Sequence, residues 1–297
     1  RKIIENGCWI DFGITNVKFL HAGHIPGSSS ILLETKEKRI LYTGDIKFID
    51  TKLMKGAELE GADVIISEST YANVDHPDRT KMEDELKRIV QETVYNDGIC
   101  LLPCFAVGRT QELLLILKDL GLPIYMDGMG ISATELTLKH PYSVKNSKML
   151  MNAFGRAKKI RNRKQRDKVL SEACIILTTA GMLNGGPVSY YIERLYKRED
   201  CTLVLTGYQV EGTAGRKLLD TGIYENENIR VRPNFKVYFL DFSAHTDRKH
   251  LIDFYRKANP EKIILVHGEG LEKFKEYLVE EEGFDVEIPR IGDIINI

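Results

Sequence analysis

Short apolar, β-branched runs alternate with longer amphipathic runs along almost the whole of the 297-residue chain. The short runs, bounded by Gly, Pro or charged turns, predict strands over Val17–His21, Ile31–Glu34, Arg39–Tyr42, Asp63–Ser67, Gly98–Phe105, Ile124–Met126, Ala173–Thr179, Thr202–Gly207, Lys236–Phe242, Lys262–His267 and Val286–Pro289. Apolar positions three and four apart predict helices over Thr80–Val94, Arg109–Leu120, Val188–Arg198, Ala214–Asp220, Asp247–Ala258 and Leu271–Glu282. Strand–helix alternation of this density argues for an α/β protein with largely parallel sheets and helices packed on their faces. The length suits one large α/β unit or two domains. No internal repeat or low-complexity tract interrupts the pattern.

Composition narrows the classes of partner. The net charge of −1 gives no attractive field for a polyanion, so a nucleic-acid binder of this kind must concentrate its positive charge locally. One stretch does so: "RAKKIRNRKQRDK", residues 156–168, holds eight Lys or Arg and a single acid. It reads either as a solvated helix face or as a phosphate-contacting surface. The five cysteines form neither a zinc spacing nor a disulfide framework, which suits a reducing, cytoplasmic setting. No apolar run reaches membrane-spanning length, so no membrane partner is expected.

Candidate chemistry gathers at strand ends. "HAGHIPGSSS", residues 21–30, puts two histidines in a turn built on Gly23, Pro26 and Gly27. After His24 come the strand "SILLET", the charged turn "KEKR" and the strand "ILYTGD". A hairpin returns its second strand to where the first began, which delivers Asp45 beside the His24 loop. Glu68 follows "DVIIS", His245 follows "KVYFLDFSA" and His267 follows "KIILV". Functional groups in parallel sheets collect at the carboxyl ends of strands, and a His/carboxylate set has the ligand chemistry of zinc above other metals.

Other polar residues carry less. His21 stands three residues before His24; His76 reads as a turn residue, and His140 and His250 as exposed helix residues. Cys100 and Cys104 read as core. Arg109 opens a helix after "FAVG" and either holds a phosphate or forms a structural ion pair. The Gly-rich loop 179–187 before a helix is open to the same two readings.

These segments resemble the β-CASP branch of the metallo-β-lactamase superfamily, from about Val17 to Glu269. "HAGHIPGS" is similar to that family's third metal motif and "LYTGD" to its fourth; "IISESTYAN", "FSAHTD" and "LVHGE" resemble the three β-CASP motifs, centred on Glu68, His245 and His267. "PCFAVGRTQELL", "TTAGMLNGGP" and "LTGYQVEGTAGR" resemble family segments in between, and the likeness is greatest to archaeal relatives of the cleavage and polyadenylation endonuclease. The resemblance implies the C-terminal part of an αββα sandwich (residues 1–70 and 242–297) interrupted by an α/β β-CASP domain with a parallel sheet (71–241). It implies two zinc ions, with His24 on one, His267 on the other and Asp45 bridging them. His245, oriented by Glu68, would protonate the leaving oxygen. The implied activity is a zinc-dependent ribonuclease, acting as a 3′-end-processing endonuclease, a 5′–3′ exonuclease or both. His at the third β-CASP motif points to RNA rather than DNA. The implied partner is RNA, and the residues read above from charge and helix position, Arg109, Arg156, Lys158, Lys159 and Arg161, are its candidate contacts; a homodimer and no small-molecule cofactor complete the expectation. The competing readings are an inactive paralogue serving as an RNA-binding or scaffold subunit, a DNA-directed nuclease, and a small-molecule metallohydrolase. The family's His-x-His-x-Asp-His motif is missing and the chain opens on Arg1, so the expectation is that this motif lies upstream in a longer protein.

Overall fold

The computed structural model describes residues 7–297 and divides the chain into two units. Residues 1–6, where the first expected core segment begins, lie outside the described residues. The first unit comprises the chain up to His76 together with Ala244–Ile297. With elements numbered in chain order, its strands are β1 (Trp9–Asp11), β2 (Asn16–His21), β3 (Ser29–Glu34), β4 (Arg39–Tyr42), β5 (Val64–Glu68), β14 (Lys262–Val266) and β15 (Val286–Glu287). Among the described residues they form one sheet in that order.

The direction of these strands places the chemistry. β2, β3 and β4 pair antiparallel, with His21 opposite Ser29 and Ile31 opposite Tyr42. β4 then pairs parallel to β5, and β5 parallel to β14. Hence β2, β4, β5 and β14 all run the same way, and the segments that follow them emerge at one edge of the sheet. The β3–β4 turn is closed by Thr35, whose hydroxyl accepts from the amides of Glu37 and Lys38 at 3.2 and 3.0 Å. Alternation along β3 turns Ser30 and Leu32 inward. The core under the sheet joins Leu20, Leu32, Leu41, Ile65 and Leu265 to helices α8 (Arg248–Ala258) and α9 (Leu271–Glu280) through Leu251, Tyr255, Phe274 and Leu278. Helix α8 starts where the Asp247 side chain accepts from the amide of His250, and it ends on Asn259 in the left-handed region.

The second unit is Pro77–Ser243. Its strands β6 (Ile99–Pro103), β7 (Ile124–Asp127), β8 (Lys158–Ile160), β9 (Cys174–Thr178), β10 (Thr202–Leu205) and β13 (Lys236–Phe239) make a parallel sheet in the order β13-β10-β6-β9-β7-β8. A small antiparallel pair, β11 (Tyr224–Glu225) and β12 (Arg230–Val231), lies apart from it. The helices are α1 (Arg79–Tyr95), α2 (Arg109–Leu117), α3 (Met129–Lys139), α4 (Ser147–Arg156), α5 (Arg163–Val169), α6 (Pro187–Leu195) and α7 (Ala214–Thr221). β6 and β9 are buried along their whole length, which is why both read as continuous apolar runs.

The unit begins a few residues later than the expected 71–241 because the segment before Pro77 is tied to the first unit. Tyr71 bridges Asp247, and the Asn73 amide donates to the carbonyls of Glu269 and Gly270 at 3.2 and 3.0 Å. Helices α3, α4 and α5 and strands β1, β8, β11 and β12 fall where the sequence predicts no element. The basic tract is therefore not a single helix face: it runs through the end of α4, the edge strand β8 and helix α5. Within it Arg166 is structural, donating from Nε and Nη2 to the Asp127 carboxylate at 2.6 and 2.9 Å, while Tyr191 donates to the same group at 2.7 Å. The Asp127 side chain is 1% exposed. Removing one partner of a buried pair strands the other charge, so Arg166→Gln is expected to lower the unfolding free energy by about 3 kcal/mol, measured by denaturant titration. A change within about 0.5 kcal/mol, the size typical of surface substitutions, would return Arg166 to the solvated face.

Candidate metal centre

Each loop at the common sheet edge brings one group. His24 lies three residues beyond β2 and Asp45 three beyond β4; Glu68 ends β5 and His267 follows β14 directly. The His24 loop needs Gly23, which has φ +74°, and a Cβ built there would lie 2.3 Å from the Lys47 carbonyl oxygen. The backbones of 22–24 and 46–47 can therefore touch, with Lys47 N donating to the Ala22 carbonyl at 2.9 Å. Gly44 turns the chain into Asp45 at φ +56°. His267 adopts φ +52°, where its carbonyl accepts from the Ser69 amide at 3.1 Å.

The Asp45 carboxylate stands between two imidazoles. Its Oδ2 is 3.7 Å from His24 Nε2, and its Oδ1 is 3.7 Å from His267 Nε2. Two atoms that each bind one zinc at about 2.0–2.2 Å lie no more than about 4.3 Å apart, so both pairs fit a shared ion. The other ring nitrogen of His24, Nδ1, donates to the Ala244 carbonyl at 3.1 Å, which leaves the Nε2 lone pair for a metal. Burial and the nearby His245 hold the His24 pKa below its ordinary value, keeping it neutral and able to ligate. The donor chemistry thus fits zinc.

His245 is held differently. Its Nδ1 lies 3.0 Å from both oxygens of Glu68, a carboxylate 2% exposed. Glu68 also accepts from the Ile46 amide at 2.7 Å and the Thr70 hydroxyl at 2.6 Å. Burial alone would raise the carboxyl's pKa, but the bond and charge of His245 with these donors hold it below the ordinary range. On His245 burial pulls down, and the hydrogen bond and charge of Glu68 more than offset it, so its pKa is raised. One atom each of His24, Asp45 and His245 also lie within 4.8 Å of one another, and the His24 and His245 rings are 4.6 Å apart. Distance alone would therefore admit His245 as a third ligand; its engagement with Glu68 is what distinguishes it.

The remaining sequence candidates lie elsewhere. His21 Nε2 faces the Lys55 carbonyl at 3.2 Å, and His140 contacts Tyr142. His250 is not simply exposed but bonds Asp247 through Nδ1. His76, read as a turn residue, is buried: its side chain is 7% exposed. Cys100 and Cys104 are core, and burial pushes the Cys104 thiol up to about 12. Arg109 is in the second unit and buried, with Nη1 shielded and without a hydrogen-bond partner, and burial next to Arg79 pulls its pKa down to about 10. That departs from the phosphate-holding reading, which needs an accessible guanidinium. Lys158 donates to the Tyr125 hydroxyl at 2.8 Å, Lys159 to the Ala157 carbonyl at 2.8 Å, and Arg161 to Glu135 at 3.1 Å. Arg156, Lys158 and Arg161 are nonetheless exposed. Sequence reasoning missed Lys47, a buried lysine whose ammonium lies 2.8 Å from the His245 carbonyl; nothing in "GDIKFID" distinguishes it from a surface residue.

An α/β unit that gathers imidazoles and a carboxylate at one sheet edge has the donor set of a metal site. Family comparison agrees: the Beta-Casp domain matches residues 110–218, and the Zn-dependent metallo-hydrolase RNA specificity domain matches residues 229–289. A probable RNase MJ4 of Methanocaldococcus jannaschii is 40% identical over 289 residues, covering 93% of this chain and 67% of that protein. RNase aCSPSF2 of Saccharolobus solfataricus is 32% identical over 311 residues (100% and 63%), and transcription termination factor FttA of M. jannaschii is 38% identical over 308 (91% and 48%). The chain belongs to the β-CASP family of metallo-β-lactamase-fold proteins. It spans about half to two thirds of the length of these relatives. Among the described residues no helix is long and apolar enough to cross a membrane.

The electrostatics of His245 can be checked in metal-free protein. With Glu68→Gln the two larger causes that raise the His245 pKa are gone, while burial and the Lys47 charge, both lowering, remain with only the smaller raising effect of Asp45 against them. The His245 pKa, followed by NMR titration of the ring, is expected to fall; an unchanged value would mean that Glu68 does not control it.

Proposed function

We propose that this chain belongs to a zinc-dependent ribonuclease that hydrolyses RNA phosphodiester bonds, as a 3′-end-processing endonuclease, a 5′–3′ exonuclease or both. The observation that carries the reading is the Asp45 carboxylate, with one oxygen facing His24 and the other His267 at equal distance. Those contacts support a site in which His24 would hold one zinc ion, His267 a second, and Asp45 would be shared by both. The names of the relatives, RNases among them, and the RNA specificity domain support RNA as the substrate. Zinc, when bound, supplies hydroxide near neutral pH and polarises the phosphoryl group.

The chain's own residues do the rest. The Ala244 carbonyl orients His24 through Nδ1, so that its Nε2 is presented to the centre. Glu68 binds the Nδ1–H of His245 and stabilises its charged form, leaving the Nε2–H to be donated to the leaving oxygen. A raised pKa suits that role, since an acid must hold its proton until the bond to phosphorus breaks. Arg156, Lys158 and Arg161, exposed at the edge of the second unit's sheet, contribute affinity through phosphates and not sequence preference.

Two measurements test this reading. In the full-length protein His245→Ala is expected to cut the cleavage rate about 10²–10⁴-fold with zinc content nearly unchanged, whereas Asp45→Asn loses zinc as well. Zinc loss on His245→Ala, or full cleavage by Asp45→Asn, would contradict the assignment. Replacing Arg156, Lys158 and Arg161 together with Gln is expected to flatten the salt dependence of RNA binding, by about one unit of log–log slope for each lost phosphate contact. An unchanged slope would assign the three to a solvated surface.

A further inference from the structure

We propose that Lys47 is a positioning residue for His245: its buried ammonium anchors the His245 backbone carbonyl, with His76 holding the ammonium in place. The Lys47 Nζ donates to the carbonyl oxygen of His245 at 2.8 Å and lies 3.1 Å from Nδ1 of His76. Its own backbone is pinned on both sides, the amide donating to the Ala22 carbonyl at 2.9 Å and the carbonyl accepting from Ala57 at 2.7 Å. One residue therefore joins the loop of His24, the segment of Asp45 and the segment of His245.

Packing does not explain a lysine there. Lys47 is 6% exposed, and burying an ammonium costs more than burying a hydrocarbon of the same volume. What the ammonium reaches is the peptide of the residue whose imidazole sits on Glu68, and holding that peptide fixes the side-chain origin. His76 is built to receive the ammonium. Its amide donates to the Asp247 carboxylate at 3.0 Å, and its ring meets the Tyr71 ring edge-on with centroids 4.5 Å apart. Burial and the nearby Lys47 charge push its pKa down to about 4, so the ring is neutral and Nδ1 offers a lone pair. Asp247, with its carboxylate 4.0 Å from the same ring, balances the charge of the cluster and starts α8 directly after the His245 segment.

The inference rests on the proposed role of His245 as acid, and its test separates the two. In the full-length protein Lys47→Met keeps the hydrocarbon stem and removes the donors. It is expected to lower kcat about 10- to 100-fold, the range for one lost charge-assisted hydrogen bond, with KM for RNA, zinc content and melting temperature little changed. His76→Phe keeps the ring against Tyr71 but removes the acceptor, and is expected to shift kcat in the same direction by less. In parallel, the Nδ1–H proton resonance of His245, expected downfield in the wild type because of the contact with Glu68, is expected to weaken or move upfield in Lys47→Met. If the wild type cleaves no RNA, the reading of His245 as acid fails while the NMR resonance still tests the positioning. An unmoved resonance, a kcat equal to wild type, or loss of zinc in proportion to activity would overturn the role of Lys47.

Discussion

A carboxylate removed from water must be met by donors, and Glu68, 2% exposed, is met by the Ile46 amide, the Thr70 hydroxyl and the His245 ring. Those donors come from three segments: the one following β4, the one following β5, and the one preceding α8. Satisfying one buried charge therefore fixes the relative positions of the Asp45 and His245 segments. A deletion of any donor leaves the charge partly uncompensated, so the cost of disturbing this group is spread over the whole edge of the sheet.

The sheet makes that convergence possible. The register that pairs Val266 with Glu68 brings the ends of β5 and β14 level, β4 stops two residues short with Tyr42 opposite Ile66, and two reversals bring β2 back into the same direction. A slip of one residue would turn every side chain of a strand to the opposite face, and the buried alternation along β3 and the apolar face of α8 resist it. The site is thus held twice, by the packing beneath it and by the carboxylate within it. Lys47 adds a third tie, from a position that also supports the His24 loop.

The strand ends and their polar residues were legible in the sequence because periodicity reports which runs are buried, and turn residues report where they stop. The approach of Asp45 to His24 followed from the hairpin alone, since both flank it. Lys47 and His76 were not legible: their burial is created by segments almost two hundred residues away in sequence, and a lysine between apolar residues looks like any surface strand residue. The basic tract misled in a different way. Its charge density was visible, but Arg166 answers to Asp127, on a strand 39 residues earlier, and only the fold brings them together. Arg109 likewise stands at a helix start where a phosphate could be expected, and the packing around β6 and β10 encloses it instead.

The proposed centre divides three histidines, His24 and His267 toward the metal through Asp45 and His245 toward Glu68. Anomalous diffraction at the zinc edge from zinc-loaded, full-length crystals tests it most directly. Metal peaks are expected within about 2.0–2.2 Å of His24 Nε2, His267 Nε2 and both oxygens of Asp45, with His245 still bonded to Glu68 and its Nε2 outside coordinating distance. A peak coordinated by His245 Nε2, with Asp45 on a single ion, would contradict it.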